Sequence, residues 1–288
     1  MIYLLIVTLI WAFSFGLIKG NLTNVDSNFV AFARLLISFF LFLPFLRIRN
    51  IEKKILISLL FIGAVQYGIM YVSYIYAFQF LQAYEIVLFT ILTPIYIVII
   101  NDIIQKRLHL LFYLTSLLSI FGAAIIVWQN ITSKELIIGF FLMQISNISF
   151  AFGQVYYKKL MENIPAKKDF NIFAILYFGG FITAFIFTFF TTDYSNLSLT
   201  NNELLTLAYL GVVASGVGFF LWNYGARKTN AGSLAVFNNL KIPLGIIVSV
   251  LFFAEEVNIW NISIGGLLVS FALVINEYWI YKNTSQTE

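Results

Sequence analysis

Ten apolar runs, divided by connections of five to twelve residues, constrain this chain more than anything else in it: about 2–20, 29–46, 55–78, 84–101, 110–128, 136–157, 170–190, 203–224, 232–253 and 260–281. A bilayer core is crossed by about 20 apolar residues in helical form. In lipid, a helix is the simplest way to satisfy every backbone polar group within one segment. The runs therefore read as ten transmembrane helices of an all-α integral membrane protein. Composition agrees, since 61% of the 288 residues are hydrophobic and 10% are charged, against about 25% charged in a soluble domain. Ten spans occupy about 200 residues and leave about 90 for nine connections and two tails, too few for a catalytic domain outside the membrane. The first run lacks a basic region before it, and Trp11 to Lys19 carries no cleavage pattern, so it is expected to stay in the mature protein.

Several function classes fall away. The chain has no cysteine and one histidine, His109, so thiolate and histidine metal clusters and cysteine nucleophiles are not expected. There is no G-x-x-x-x-G-K-S/T loop, H-E-x-x-H, G-x-S-x-G or intramembrane acid pair, which leaves no basis for an enzyme or a cofactor. The net charge of +4 does not imply nucleic acid, because the bases lie in short clusters between apolar runs rather than on one basic face.

Those clusters set topology. Thirteen of the seventeen bases lie on the even connections and the carboxyl end (Arg47, Arg49, Lys53, Lys54, Lys106, Arg107, Lys158, Lys159, Lys167, Lys168, Arg227, Lys228, Lys282), against Lys19 and Lys134 on the odd connections. Positive charge stays inside, so both termini are expected in the cytoplasm of a multi-pass protein of the cell inner membrane. Arg34 and Lys241 remain within spans.

The chain also repeats itself. A shift of 148 lays Gly63, Gly68, Tyr76 and Ala83 onto Gly211, Gly216, Tyr224 and Ala231, and one of 149 lays Thr90, Leu92 and Pro94 onto Asn239, Lys241 and Pro243. A shift of 137 pairs Phe13, Phe15 and Gly16 with Phe150, Phe152 and Gly153. These matches divide the chain into two halves of five helices, residues 1–130 and 136–281. Five being odd, the second half must enter the membrane inverted, the pattern of secondary transporters with a site near the midplane.

The stretches WAFSFGL from Trp11, FLPFLR from Phe42, YEIVLFTILTPIYI from Tyr84, QISNISFAFGQVYYKKLM from Gln144, LGVVASGVGFFLWNYGA from Leu210 and AGSLAVFNN from Ala231 resemble the EamA repeat of the drug/metabolite transporter superfamily. Within it they are most similar to the biotin-transporter type of the carboxylate/amino acid/amine branch. The resemblance implies ten helices with cytoplasmic ends and a central cavity lined mainly by helices 1, 3, 4, 6, 8 and 9. Helices 5 and 10 would lie outside, where two copies could pair as a homodimer. The substrate implied is biotin or a similar small anionic or zwitterionic metabolite.

An ionisable residue inside a span is a functional candidate by default. Lys241 lies about nine residues into its helix, near the midplane at 1.5 Å per residue, and shares a face with Asn238 and Gly245. A buried ammonium among amides suits a carboxylate and a ureido ring; a lysine bracing neighbouring carbonyls is the structural alternative. Arg34 lies nearer its helix end and could fork onto a carboxylate, or snorkel, or pair with Glu85. Gln144, Asn147, Ala151 and Gln154 place three amides on one stripe of helix 6, as ligands or as helix glue. Tyr67, Tyr71 and Tyr74 form a stripe on helix 3, with Trp11 and Ser14 on helix 1 and Thr90 and Thr93 on helix 4 at similar depth. Trp128, Trp260 and Trp279 read as interface anchors.

The function expected is secondary transport of a small metabolite, most simply biotin uptake by alternating access. Export of amino acids or other metabolites is the alternative within the same class. A membrane-embedded transferase or scramblase, or an accessory subunit of a vitamin importer, would be the alternatives from other classes.

Overall fold

The computed structural model describes residues 1–22, 24–49, 51–77, 79–81, 86, 89–127, 136–165, 168–195, 197–253 and 259–284. Among them are ten helices of 13 residues or more. These are α1 (Ile2–Asn21), α2 (Ser27–Phe42), α3 (Lys53–Ala77), α4 (Thr93–Gln105) and α5 (Leu110–Val127), then α6 (Leu136–Leu160), α7 (Asp169–Thr191), α8 (Asn201–Arg227), α9 (Ala231–Phe253) and α10 (Ile259–Thr284). Local chemistry fixes several ends. Asp26 accepts the Phe29 amide at the start of α2, and Thr200 and Glu203 form a reciprocal capping box on α8. Lys106, at φ 52°, stops α4 in the left-handed region. Six of these stretches are long and apolar enough to cross a bilayer: Ser27–Phe45, Lys53–Ala77, Leu136–Leu160, Asp169–Thr191, Asn201–Arg227 and Ser263–Lys282. Large apolar side chains such as Phe121, Phe190 and Leu267 stand exposed around the bundle, as lipid-facing residues do.

Helix packing obeys a rule. α1 packs on α9 and α6 on α4; α3 on α7 and α8 on α2; α3 on α6 and α8 on α1. Each of these contacts has its counterpart five helices along the chain, while α2 with α7, α4 with α9 and α5 with α10 pair across the centre; α5 also packs on α9, a contact that α10 and α4 do not match. Helices 5 and 10 thus pack on each other within one chain.

Two departures from plain α-helix matter. The first is a pair of π-helical segments, Ala64–Ile69 in α3 and Leu210–Val217 in α8. They coincide with the glycines that the repeat superimposes: the first follows Gly63 and contains Gly68, and the second contains Gly211 and Gly216. A Cβ on Gly63 would strike the Leu176 carbonyl of α7, and one on Gly211 would meet Ile37 of α2, so bare glycine lets these helices close on their neighbours. Widened turns leave carbonyls to be satisfied from outside. Ser38 donates to Gly211 O (2.8 Å), Trp11 Nε1 to Ala214 O (2.9 Å), and the Tyr177 hydroxyl to the carbonyls of Ser215 and Gly216.

The second departure corrects the reading of 84–101 as one continuous helix. The chain turns at Ile91 and Leu92, and α4 starts only at Thr93, with Pro94 in its first turn. Proline has no amide to donate to Thr90, and it disfavours helix at the residue before it. Side chains meet the exposed carbonyls: Asn147 Nδ2 reaches Phe89 O (2.7 Å), Thr93 Oγ1 reaches Thr90 O (2.7 Å), and Asn239 Nδ2 reaches Ile91 O (3.2 Å). Pro243, its partner in the repeat, lies inside an unbroken α9.

The basic connections meet at one end of the bundle. Arg47 N donates to Asn171 O, Arg227 pairs with Asp169, Lys158 donates to Thr229 O, and Lys228 lies over the Tyr3 ring. The opposite end is tied by Asn21 to Thr206 and by Thr192 to Asp26. Glu85, Trp128, Lys134 and Lys167 lie outside the described residues.

Candidate functional site

An open cavity between the helices is lined from α1, α2, α3, α4, α6, α8, α9 and the segment before α4. Seven residues singled out in the sequence line it: Trp11, Ser14, Arg34, Tyr71, Thr90, Asn147 and Lys241. Tyr74 and Thr93, from the same stripes, join them, as do Met70, Ser146, Phe150 and Phe219, which sequence reasoning passed over as ordinary apolar or small residues.

The remaining three sit elsewhere. Tyr67 is fully buried, stacked on Phe219 with ring centroids 4.6 Å apart, and its hydroxyl accepts from Asn223 (2.9 Å). Gln144 accepts from the Tyr96 hydroxyl (3.0 Å) and donates to Phe140 O. Asn238 is fully buried and donates to Leu234 O and Gln154 Oε1. Tyr67 and Asn238 belong to the layer that closes the cavity towards the basic end, whereas Gln144 precedes Ser146 and Asn147 on α6, on the side away from Lys158 and Lys159. In that layer Gln66 and Asn223 exchange amide hydrogen bonds of 2.8 and 3.0 Å, and Trp222 Nε1 donates to Gln154 (2.8 Å). Trp11 lies 4.8 Å from Trp222, ring to ring. Aromatic rings pack this layer, and within it Gln66 and Asn223 satisfy one another.

Two cations face the cavity. Arg34 is almost fully buried; its Nε donates to Ser215 Oγ (3.1 Å) and its guanidinium carbon lies 4.7 Å from the centre of the Tyr71 ring. The Tyr71 hydroxyl is 3.0 Å from the same Ser215 oxygen. Ser215 lies in the π-helical segment of α8, so Arg34 and Tyr71 connect the cavity wall to that widened turn. Lys241 is half-buried on the cavity wall, and among the described residues its ammonium has no hydrogen bond or ion pair. No carboxylate is among the lining residues. Burying an unpaired ammonium is costly, and a carboxylate entering the cavity would relieve that cost. Hydroxyls and amides at Ser14, Thr90, Ser146 and Asn147 add donors and acceptors for a polar ring, while Trp11, Met70, Phe150 and Phe219 supply apolar surface. Among the described residues, no group of three or more acids and histidines could hold a metal ion.

Known proteins share this chain's fold and much of its sequence. A solved crystal structure superimposes with a TM-score of 0.79 over 95% of each chain at 14% identity, a likeness of fold alone. The chain is 38% identical to the biotin transporter of Escherichia coli K12 over 289 residues, covering all of this chain and 96% of that one. It is 37% identical, with the same coverage, to the biotin transporter of Salmonella typhimurium. A probable biotin transporter of Pseudomonas aeruginosa is 34% identical over 96% of each chain. The model of the EamA-like transporter family matches twice, over residues 1–128 and 137–277. This all-α, multi-pass membrane protein belongs to the EamA-like transporter family.

Proposed function

We propose that this protein is a secondary transporter that carries biotin into the cell by alternating access. The observation that carries the reading is the pairing of two cations, Arg34 and Lys241, with donors and apolar rings on one cavity that has no carboxylate among its lining residues. Biotin presents one carboxylate, one ureido ring and an apolar body, and three relatives named for its transport match nearly the whole chain. Lys241 receives the carboxylate. Asn147, Thr90 and Ser14 face the ureido group, and Arg34 holds Tyr71 and Ser215 in place while adding positive potential.

The transporter is built as two inverted repeats of five helices, 1–130 and 136–281, with all ten helices crossing the bilayer. The helix contacts that recur five elements apart, the glycines that superimpose at a shift of 148 and the double family match support this reading. The basic end faces the cytoplasm, so the cavity serves the outer side and the aromatic and amide layer is the closed inner barrier. The outer faces of α5 and α10 meet lipid, and a second copy could pair there. Biotin-limited growth of an auxotroph carrying only this transporter tests the function. Restored growth on nanomolar biotin supports it. An amino-acid exporter would leave growth unrestored and would lower intracellular amino acids instead.

A further inference from the structure

A second cavity opens at the basic end. Its wall carries four cations, Arg107, Lys158, Lys159 and Arg227, against one carboxylate, Glu162. The charges are not equally engaged. Lys159 pairs with Glu162 at 2.7 Å, and Arg227 pairs with Asp169 while donating to the carbonyls of Met161 and Ile164. Lys158 donates only to the neutral carbonyl of Thr229, and among the described residues neither Lys158 nor Arg107 has a carboxylate within ion-pair distance.

The two cavities lie along one helix. Ser146, Asn147 and Phe150 of α6 line the first, and Val155, Lys158 and Lys159 line the second. Asn147, Ala151, Gln154 and Lys158 stand at i, i+4, i+7 and i+11, a single face on which Asn147 and Lys158 are about 16 Å apart at 1.5 Å per residue. On that face Gln154, hydrogen-bonded to Trp222 and Asn238, lies between them. In that layer Gln154 Nε2 and Asn238 Oδ1 are fully buried and have no hydrogen-bond partner. An orphaned buried donor or acceptor is costly, so the barrier holds polar groups ready for a ligand that the closed packing does not supply.

We propose that the basic vestibule is a second, carboxylate-accepting station on the transport path, occupied as the substrate leaves Lys241 for the cytoplasm, with Lys158 as its cationic partner and Arg107 as the outer charge. The inference rests on the reading of this chain as a carrier of an organic anion with its basic end in the cytoplasm. A cleft whose wall carries an excess of one sign of charge concentrates the opposite ion. The vestibule therefore raises the local occupancy of the released anion without a tight, slowly emptied site. The same oxyanion chemistry is offered by the headgroup of an anionic phospholipid, and the experiment separates the two sources.

The chain has no cysteine, so Gln105→Cys places one thiol on the vestibule wall. In proteoliposomes of neutral lipid, its reaction with anionic and cationic methanethiosulfonates from the basic side is compared with that of a free thiol. Expected is a preference for the anionic reagent of about tenfold, falling to about twofold when Lys158→Gln is added and restored by Lys158→Arg. Biotin on that side should slow the anionic reagent, and biotin amide should not. A preference near one, or one indifferent to Lys158→Gln, overturns the proposal. So does protection by anionic phospholipid but not by biotin, which would make the vestibule a headgroup site. If biotin neither enters the vesicles nor protects, but pentanoate protects and the anionic preference persists, biotin as the cargo is refuted and the anion station stands.

Discussion

Replacing Lys241 by methionine keeps the length and apolar body of the side chain while removing the one cavity cation that is without a partner among the described residues. Two unit charges about 4 Å apart attract by about 1 kcal/mol in bulk water and about 4 kcal/mol at an effective dielectric near 20. Lys241 is half-buried and its cavity is open, so the interaction falls between these limits. Truncating one member of a buried charge pair costs about 2–5 kcal/mol, and the openness places this site at the lower end. Lys241→Met is therefore expected to weaken biotin binding by about 2 kcal/mol, a factor of about 30 in Kd. Binding of the neutral biotin amide should change by less than about threefold, since that ligand has no charge to lose. Titration calorimetry of the purified variant with each ligand reads the difference. Equal losses for the two ligands would refute the carboxylate role, even if Lys241 proved necessary for transport. Asn147 would then be the better anchor.

Asn147→Ala removes the donor to the Phe89 carbonyl at the break before α4 and should lower the stability of the ligand-free protein by about 1–3 kcal/mol, read as a fall in Tm. Gly63→Ala drives a Cβ into the Leu176 carbonyl and should cost a similar amount, about 1–3 kcal/mol. Gly20→Ala, which meets no atom within 4 Å, should leave Tm unchanged or raise it. An impermeant maleimide should label Ser195→Cys in intact cells, and Arg49→Cys only after permeabilisation; the reverse pattern would invert the topology.

Much of this architecture is legible in the sequence because bilayers impose coarse rules. Apolar length marks the helices, base clusters mark one end, and matched glycines mark equivalent turns. The break before α4 is not, because the apolar run continues through Ile91 and Leu92; only Pro94, preceded by Thr90 and Thr93, hints at it. The π-helical turns escape periodicity altogether. A π-turn adds a residue to one turn and rotates the remainder of the helix, so Tyr67 falls into the closing layer while Tyr71 and Tyr74 keep the cavity. On α6 the amide stripe is real in spacing yet divided in use. Asn147 reaches the cavity, while Gln144 and Gln154 are engaged by Tyr96 and Trp222, residues distant in sequence. Such pairings depend on tertiary packing, which single-helix spacing does not encode.

Uptake of labelled biotin into proteoliposomes containing this protein alone addresses the transport reading without help from any other subunit. Accumulation above that of empty vesicles, saturable, competed by unlabelled biotin and sharply reduced by Lys241→Met, is the result expected. Uptake no greater than that of empty vesicles, from protein that remains folded and correctly inserted, would contradict it.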